Sequence, residues 1–185
     1  MGARTARRRC TGADDVSAAP FTVEVARTLA DVERLAPVWN DIPWAGEQAE
    51  HAYFVAAARA RAAAGRPFAV LVSSDGRPAA AAAGRVETRR LDTRVGYLRV
   101  YAPAVRMLQI VPGGAVAADV ESIPTLVGAV RSVLATGEAD ALALPALPVD
   151  SEVFAAFAAL AGPLERQRFV PAWTRRRLVL PASFE

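Results

Sequence analysis

The 185-residue chain has no lysine, one cysteine and one histidine, and each scarcity excludes something. All 22 basic residues are arginine in a chain crowded with alanine, a pattern of coding bias, and the formal net charge is only +3. Cys10 alone cannot form an internal disulfide framework or a cysteine-based metal cluster. His51, on a predicted helix with no serine nearby in sequence, is a helical surface or half-buried residue before it is a catalytic base. No His/Cys/Asp/Glu group has ligand spacing, so no metal site is expected. No apolar run approaches about 18 residues, so no membrane span is expected. The start, Arg7-Arg8-Arg9-Cys10, lacks the apolar segment of a secretory signal, because residues 11–19 are polar. Residues 1–20 read as a disordered Arg-rich leader, residues 21–185 as a single domain, and a reducing cytoplasm suits the composition.

What is present is a hairpin. An apolar run at 68–72 meets Ser73-Ser74-Asp75-Gly76, and a second run covers 78–86. Asp-Gly between two strand-like runs is the strongest short-range hairpin signal, because both turn residues must take positive φ. Before it, Phe21, Val23 and Val25 alternate with polar residues as in an edge strand. Thr28-Leu29-Ala30-Asp31 has capping-box spacing, with Val32, Leu35, Ala36 and Trp39 on one helical face and Pro37 a kink or stop. After a turn at Ile42-Pro43-Trp44, a second helix is predicted over 48–64, with Gly65 as its left-handed cap.

Downstream, 95–101 and 107–111 read as strands, the second followed by a turn at Pro112-Gly113-Gly114. Ser122 is the expected cap of a helix with Pro124 in its first turn; Leu126, Val127, Val130, Val133 and Leu134 form its buried stripe and Gly137 its stop. A short strand at 141–144, a helix at 151–161 with Phe154 and Phe157 inward, and strand material at 169–180 complete the chain. The predicted class is α/β (α+β), one mixed, mostly antiparallel sheet covered by helices.

This order resembles the GNAT acyltransferase fold, and more closely the amino-terminal half of CelD-like proteins, which are related in architecture to the FemABX aminoacyltransferases. Residues 29–39 (LADVERLAPVW), the hairpin, and residues 178–185 (LVLPASFE) carry the resemblance. It implies transfer of an acyl or aminoacyl group to an amine or hydroxyl, acetyl-CoA or another acyl donor, and a small-molecule acceptor. It also implies a second GNAT-like half, or a homodimer, without which the chain is non-catalytic. GNAT enzymes hold the donor pyrophosphate on amides of a Gln/Arg-x-x-Gly-x-Gly/Ala loop before a helix. The nearest match is Gln109-Ile110-Val111-Pro112-Gly113-Gly114-Ala115, making Gln109, Gly113 and Gly114 the candidate cofactor-binding residues, although Pro112 removes an amide at the first glycine position. No catalytic residue can be named from the sequence.

Charge is segregated: residues 85–106 and 165–177 each carry a local +4 and residues 31–50 carry −4. A solvated strand face accounts for such a pattern, as does a surface that steers an anion or docks an acidic partner. Trp173 beside Arg175-Arg176-Arg177, and Tyr97, Arg99 and Tyr101, are the features that would suit single-stranded nucleic acid, but the net charge is modest for that role. A non-catalytic partner-binding domain with an exposed sheet edge is the further alternative.

Overall fold

The turn at Asp75-Gly76 sets the first half of the sheet. The computed structural model describes residues 21–91 and 93–160. Asp75 and Gly76 take φ of 51° and 75°, the paired left-handed values of a tight hairpin turn. Strands β2 (Gly65–Ser74) and β3 (Arg77–Arg90) run antiparallel from it, longer than the apolar runs alone suggest. Strand β1 (Thr22–Ala26) pairs with the outer side of β2 and forms one edge. On the other side β3 pairs antiparallel with β6 (Ala104–Ala117), and β6 pairs in parallel with β7 (Ala141–Ala143). The sheet order is therefore β1-β2-β3-β6-β7, mixed and mostly antiparallel.

Two helical layers cover it. On one face, α1 (Leu29–Arg34), α2 (Ala36–Trp39) and α3 (His51–Ala60) bury Val32, Leu35, Trp39 and Phe54 against Ala69, Leu71, Ala81, Ala83 and Val111. On the other, α4 (Ile123–Ala135) and α5 (Glu152–Ala158) pack on Phe68, Val70, Val72, Ala82, Leu108 and Ile110. Alternation along the strands feeds both layers, which is why β2 and β3 read as continuous apolar runs.

Local chemistry explains most helix ends. Thr28 and Asp31 form the expected capping box, and α1 and α2 meet at Leu35 just before Pro37. Gly137, at φ 71°, stops α4: its N–H donates to the Leu134 carbonyl and that of Glu138 to Val133, the paired closure of a Schellman motif.

Five expectations need correction. The helix predicted over 48–64 is a 3₁₀ turn (Glu47–Ala49) followed by α3, and Gly65 is not its cap but the first residue of β2, paired with Glu87. Any Cβ at Gly65 would lie 2.6 Å from the Val86 carbonyl oxygen, so close strand approach and not left-handed backbone requires glycine there. Residues 95–101 are not one strand: Gly96, at φ 60°, reverses the chain between β4 (Thr93–Val95) and β5 (Leu98–Tyr101), a two-stranded arm outside the main sheet. Pro112-Gly113-Gly114 is not a turn between strands but lies inside β6. Ser122 does not cap α4 with its side chain; its buried hydroxyl points to the carbonyls of Ala79 and Asp119, while Asp119 accepts from the Glu121 amide. In α5 it is Val153 with Phe157 that is fully buried, Phe154 being half-buried, and Ser151 caps the helix through the Phe154 amide. The strand material at 169–180 and the leader at 1–20 lie outside the described residues.

An ion-pair network ties the two halves. Glu138, just past α4, accepts from Arg27 after β1 at 2.8 Å and from Arg66 in β2 at 2.7 Å. Hydrogen bonds from Arg27 and then Arg66 hold its carboxyl down to about 2, against an ordinary value of 4.5. A depressed carboxyl stabilises the fold above its unfolded value and loses that contribution as pH falls through its folded value. Glu138→Gln is expected to cost about 1 kcal/mol at neutral pH, a network value discounted for the exposure of both arginines. Urea unfolding across a pH series should show the wild type losing this increment between pH 4.5 and about 2, with a shallower acid limb in the variant.

Candidate functional site

Between Ala82 and Gly84 of β3, the ladder to β6 shifts register from Ala115 to Ile110. Four β6 residues, 111–114, therefore stand against the single residue Ala83, a wide bulge. A proline inside a strand is tolerated where no ladder bond is required, and Pro112 occupies such a place. The bulge receives the segment that joins α2 to α3: the Ala45 amide donates to the Gly113 carbonyl at 3.2 Å. A Cβ on Gly46 would lie 2.6 Å from the Pro112 carbonyl oxygen, and one on Gly113 would collide with the backbone of Ala45 and Gly46. Gly113 also sits at φ 73°, where side chains are strained. A Cβ on Gly114 would meet Val111 and the Ala83 carbonyl. Gly113 and Gly114 thus serve a backbone-to-backbone contact.

The parallel pair is short. β6 and β7 share only the steps Met107–Ala141, Leu108–Leu142 and Gln109–Ala143. Beyond Gln109, β6 continues through the bulge while the chain after β7 turns away at Pro145 and Ala146, the latter at φ 59°. The two strands part at their carboxyl ends, the place where open α/β sheets accept ligands.

The helix that follows β6 starts in a turn in which every amide from Ala118 to Ile123 but that of Val120 has an acceptor. Those of Ala118 and Asp119 donate to the Ala79 carbonyl, that of Glu121 to the Asp119 carboxylate, that of Ser122 to the Asp119 carbonyl, and that of Ile123 to Val120. Pro124 has no amide hydrogen. Asp119 and Glu121 add negative charge at the positive end of the helix dipole, so these residues do not fit a pyrophosphate such as that of coenzyme A.

Gln109 goes elsewhere. Leu108 and Ile110 face α4, so Gln109 faces the α3 side with Val111 two residues on and Arg85 directly across on β3. Its Oε1 is buried without a hydrogen-bond partner. Beside it runs a polar row: Arg85 donates to Glu87 at 2.7 Å, and Arg89 pairs with the other Glu87 oxygen. Burial pushes the Glu87 carboxyl up, but the hydrogen bond and charge of Arg85, with the charge of Arg89, outweigh it and hold it below the ordinary range.

Above Arg85 and Val111 lies a small cleft of about 50 Å3, partly open to solvent, between α3, the start of β2 and the second half of β3. Its walls are Phe54, Ala57, Pro67 and Val111, and its rim carries Arg61, Arg66 and Arg85 but no carboxylate. Nothing in the sequence patterns marks this cleft, because its residues come from four elements.

His51 is half-buried, its ring edge-on to Trp39 at 5.8 Å and its Nε2 3.3 Å from the Val32 carbonyl oxygen. Trp39 also contacts Trp44 and Phe54, and its Nε1 donates to the Ala49 carbonyl at 2.7 Å. His51 therefore belongs to an aromatic packing cluster. Among the described residues no group of three or more His, Cys, Asp or Glu could hold a metal ion, and no helix is long and apolar enough to cross a membrane.

No protein-family model matches the chain, and no curated protein matches it in sequence. Among solved structures it is similar to a ribosomal-protein-alanine N-acetyltransferase from Brucella melitensis biovar Abortus 2308, at 13% identity and a TM-score of 0.45, over 87% of this chain and 100% of that one. At that identity and score the likeness brings no residue roles to this chain.

The glycine contact is open to direct measurement. Gly113→Ala should destabilise the protein by about 2 kcal/mol or more, combining left-handed strain with a clash. Gly76→Ala, at φ 75° but with open space around it, should cost about 1 kcal/mol. Equal midpoints for the two in thermal unfolding would refute the packing role of Gly113.

Proposed function

We propose that this chain is a GNAT-like acyltransferase domain, of the CelD-like kind, that does not catalyse transfer by itself. The observation carrying the reading is the sheet order β1-β2-β3-β6-β7 with its parallel pair parting after three steps beside a bulge. That arrangement offers a gap at strand ends in which an extended donor can lie and an acceptor can be presented, so positioning would supply most of the rate in a complete enzyme. The finer assignment is supported by residues 29–39, the stretch that carries the resemblance, which form α1 and α2. Its inactivity alone is supported by the turn at 118–124, where all but one of the amides have acceptors within the chain and Asp119 and Glu121 are acidic. The donor phosphates would then be held by a second GNAT-like half or another chain. Calorimetric titration with acetyl-CoA should give no saturable heat up to about 100 μM, a range that would reveal any affinity of ordinary acyl-CoA enzymes. Micromolar binding, or thiol release from acetyl-CoA by the chain alone, would overturn the inactive part of the reading.

One observation favours a second reading, that of a partner-binding domain. The β4–β5 arm leaves Tyr97, Leu98, Val100 and Tyr101 exposed, and an isolated two-stranded hairpin has little stability of its own in water. If the arm is covered by another chain, Leu98→Asp should convert an associated species to monomer in sedimentation velocity. A monomeric wild type that coelutes with no partner would count against this reading and leave the first intact.

A further inference from the structure

We infer, on the partner-binding reading of the arm, that its partner is a second copy of this chain: each β4–β5 arm of a two-fold dimer docks on the other copy's α2–α3 connection. The arm gathers apolar surface that a monomer would scatter. Leu91, Tyr97, Leu98, Val100 and Tyr101 are all exposed within one short stretch, Tyr97 completely. Leu98 and Val100 lie on one face of the ribbon and Arg99 and Tyr101 on the other, so this chain covers neither face. The end of β3 that carries the arm is likewise exposed from Thr88 to Arg90.

Charge complementarity points to the occupant. Residues 85–106 hold six arginines against Glu87 and Asp92, and Asp140 offsets one more, so this end of the sheet stays positive. Arg90, the last residue of β3, has no ion-pair partner among the described residues. The opposite sign stands on the same molecule. Asp31 pairs with Arg34 and Glu33 with Arg59, but Asp41, Glu47 and Glu50, exposed around the α2–α3 connection, have no ion-pair partner among the described residues. Pro43, Ala45 and Tyr53 expose carbon beside them, Tyr53 one helical turn from Glu50. That surface matches the arm in both respects, carbon for Leu98 and Val100 and carboxylates for the arginines. Nucleic acid would satisfy the arginines and leave Leu98 and Val100 bare.

The spacing suits a two-fold pair. The arm leaves the sheet at Arg90, whereas the α2–α3 connection is seated on the bulge opposite Ala83, seven residues back along the same strand. At about 3.3 Å per residue the two lie roughly 23 Å apart. A two-fold axis between them therefore forms both contacts at once, each arm meeting the other copy's acidic connection.

The test is sedimentation velocity of the full chain over a concentration series up to about 100 μM at low salt, where surface charge is least screened. The wild type should dimerise, and Leu98→Asp should disperse it. Arg90→Glu and Glu50→Arg should each weaken the dimer by about tenfold or more, because each puts like charges in both contacts. An equimolar mixture of the two variants should recover the wild-type affinity to within about threefold, since every contact then pairs opposite charges. All three substitutions are at exposed positions, so each variant should keep wild-type melting. A wild type that stays monomeric throughout overturns the inference, and binding of an oligonucleotide or anionic vesicles by that monomer would assign the arm a different occupant. A dimer that survives Leu98→Asp overturns both the inference and the partner-binding reading of the arm. A dimer that Leu98→Asp disperses, but that the mixture of charge variants does not restore, overturns the inference and leaves that reading standing.

Discussion

The fold rests on one strand that has almost no side chains. From Ala79 to Ala83, β3 presents a methyl group at every position, all buried, and Gly84 follows. Such a strand is the central member of the sheet and is covered on both faces, so the helical layers above and below can approach closely. The large side chains that fill the two cores come from its neighbours and the helices: Phe68, Leu108, Ile110 and Leu126 on one side, Leu35, Trp39 and Phe54 on the other. Alanine has poor intrinsic preference for strands, so β3 is held by the ladders to β2 and β6 and by the burial on its faces. Its position is therefore a tertiary fact enforced by a local one, the Asp75-Gly76 turn that fixes the register of β2 against it.

The same thinness explains the bulge. At Gly84 the strand has no side chain to keep β6 in step; a Cβ there would lie 2.5 Å from the Gln109 carbonyl oxygen. β6 crosses closely at that point and then accommodates four residues opposite Ala83. The bulge takes in Ala45 and Gly46, so the connection between α2 and α3 is anchored to the sheet by backbone contact. With that connection fixed, α3 sits over β2 and β3 at a height that leaves the cleft beside Arg85. A glycine pair that looks like a phosphate loop in sequence thus sets the depth of a cavity on the opposite side of the sheet from α4.

Much of this was legible beforehand, where the signal was local. The hairpin turn, the Thr28 capping box and the Gly137 stop each depend on residues within four positions of one another and form as read, and the α4 stripe forms over Leu126, Val127, Val130 and Val133, with Leu134 half-buried. The failures share a cause. Pro112-Gly113-Gly114 has the composition of a turn, and only the approach of Ala45 and Gly46, more than sixty residues earlier, makes it a bulge. Gly65 has the position of a helix cap, but the ladder to Glu87 claims it for β2. Gly96 breaks a run of apolar and aromatic residues that looks continuous because nothing in it reports which backbone angle the glycine takes. Of the candidate residues, Gln109 carries a motif signal, whereas its neighbour Arg85 across the ladder requires the fold.

Electrostatics separates the two ends of the molecule in a way composition conceals. The arginines of the 85–106 segment read as one basic stretch, yet Arg85 and Arg89 share Glu87 and Arg106 pairs with Asp140, at 2.7 Å for Arg106. The local charge is the part left after such pairing: Glu87 offsets one of Arg85 and Arg89, and Glu138 one of Arg27 and Arg66, so each group keeps a net positive charge. At the start of α4 the balance has the opposite sign, because Asp119 and Glu121 stand where a phosphate-binding helix would offer bare amides. A carboxylate already occupies the Glu121 amide, and an anion arriving there would meet the negative charge of Asp119 and Glu121. The start of α4 therefore repels an anion by charge, whereas the arginine groups of β2 and β3, each sharing one carboxylate between two guanidinium groups, do not.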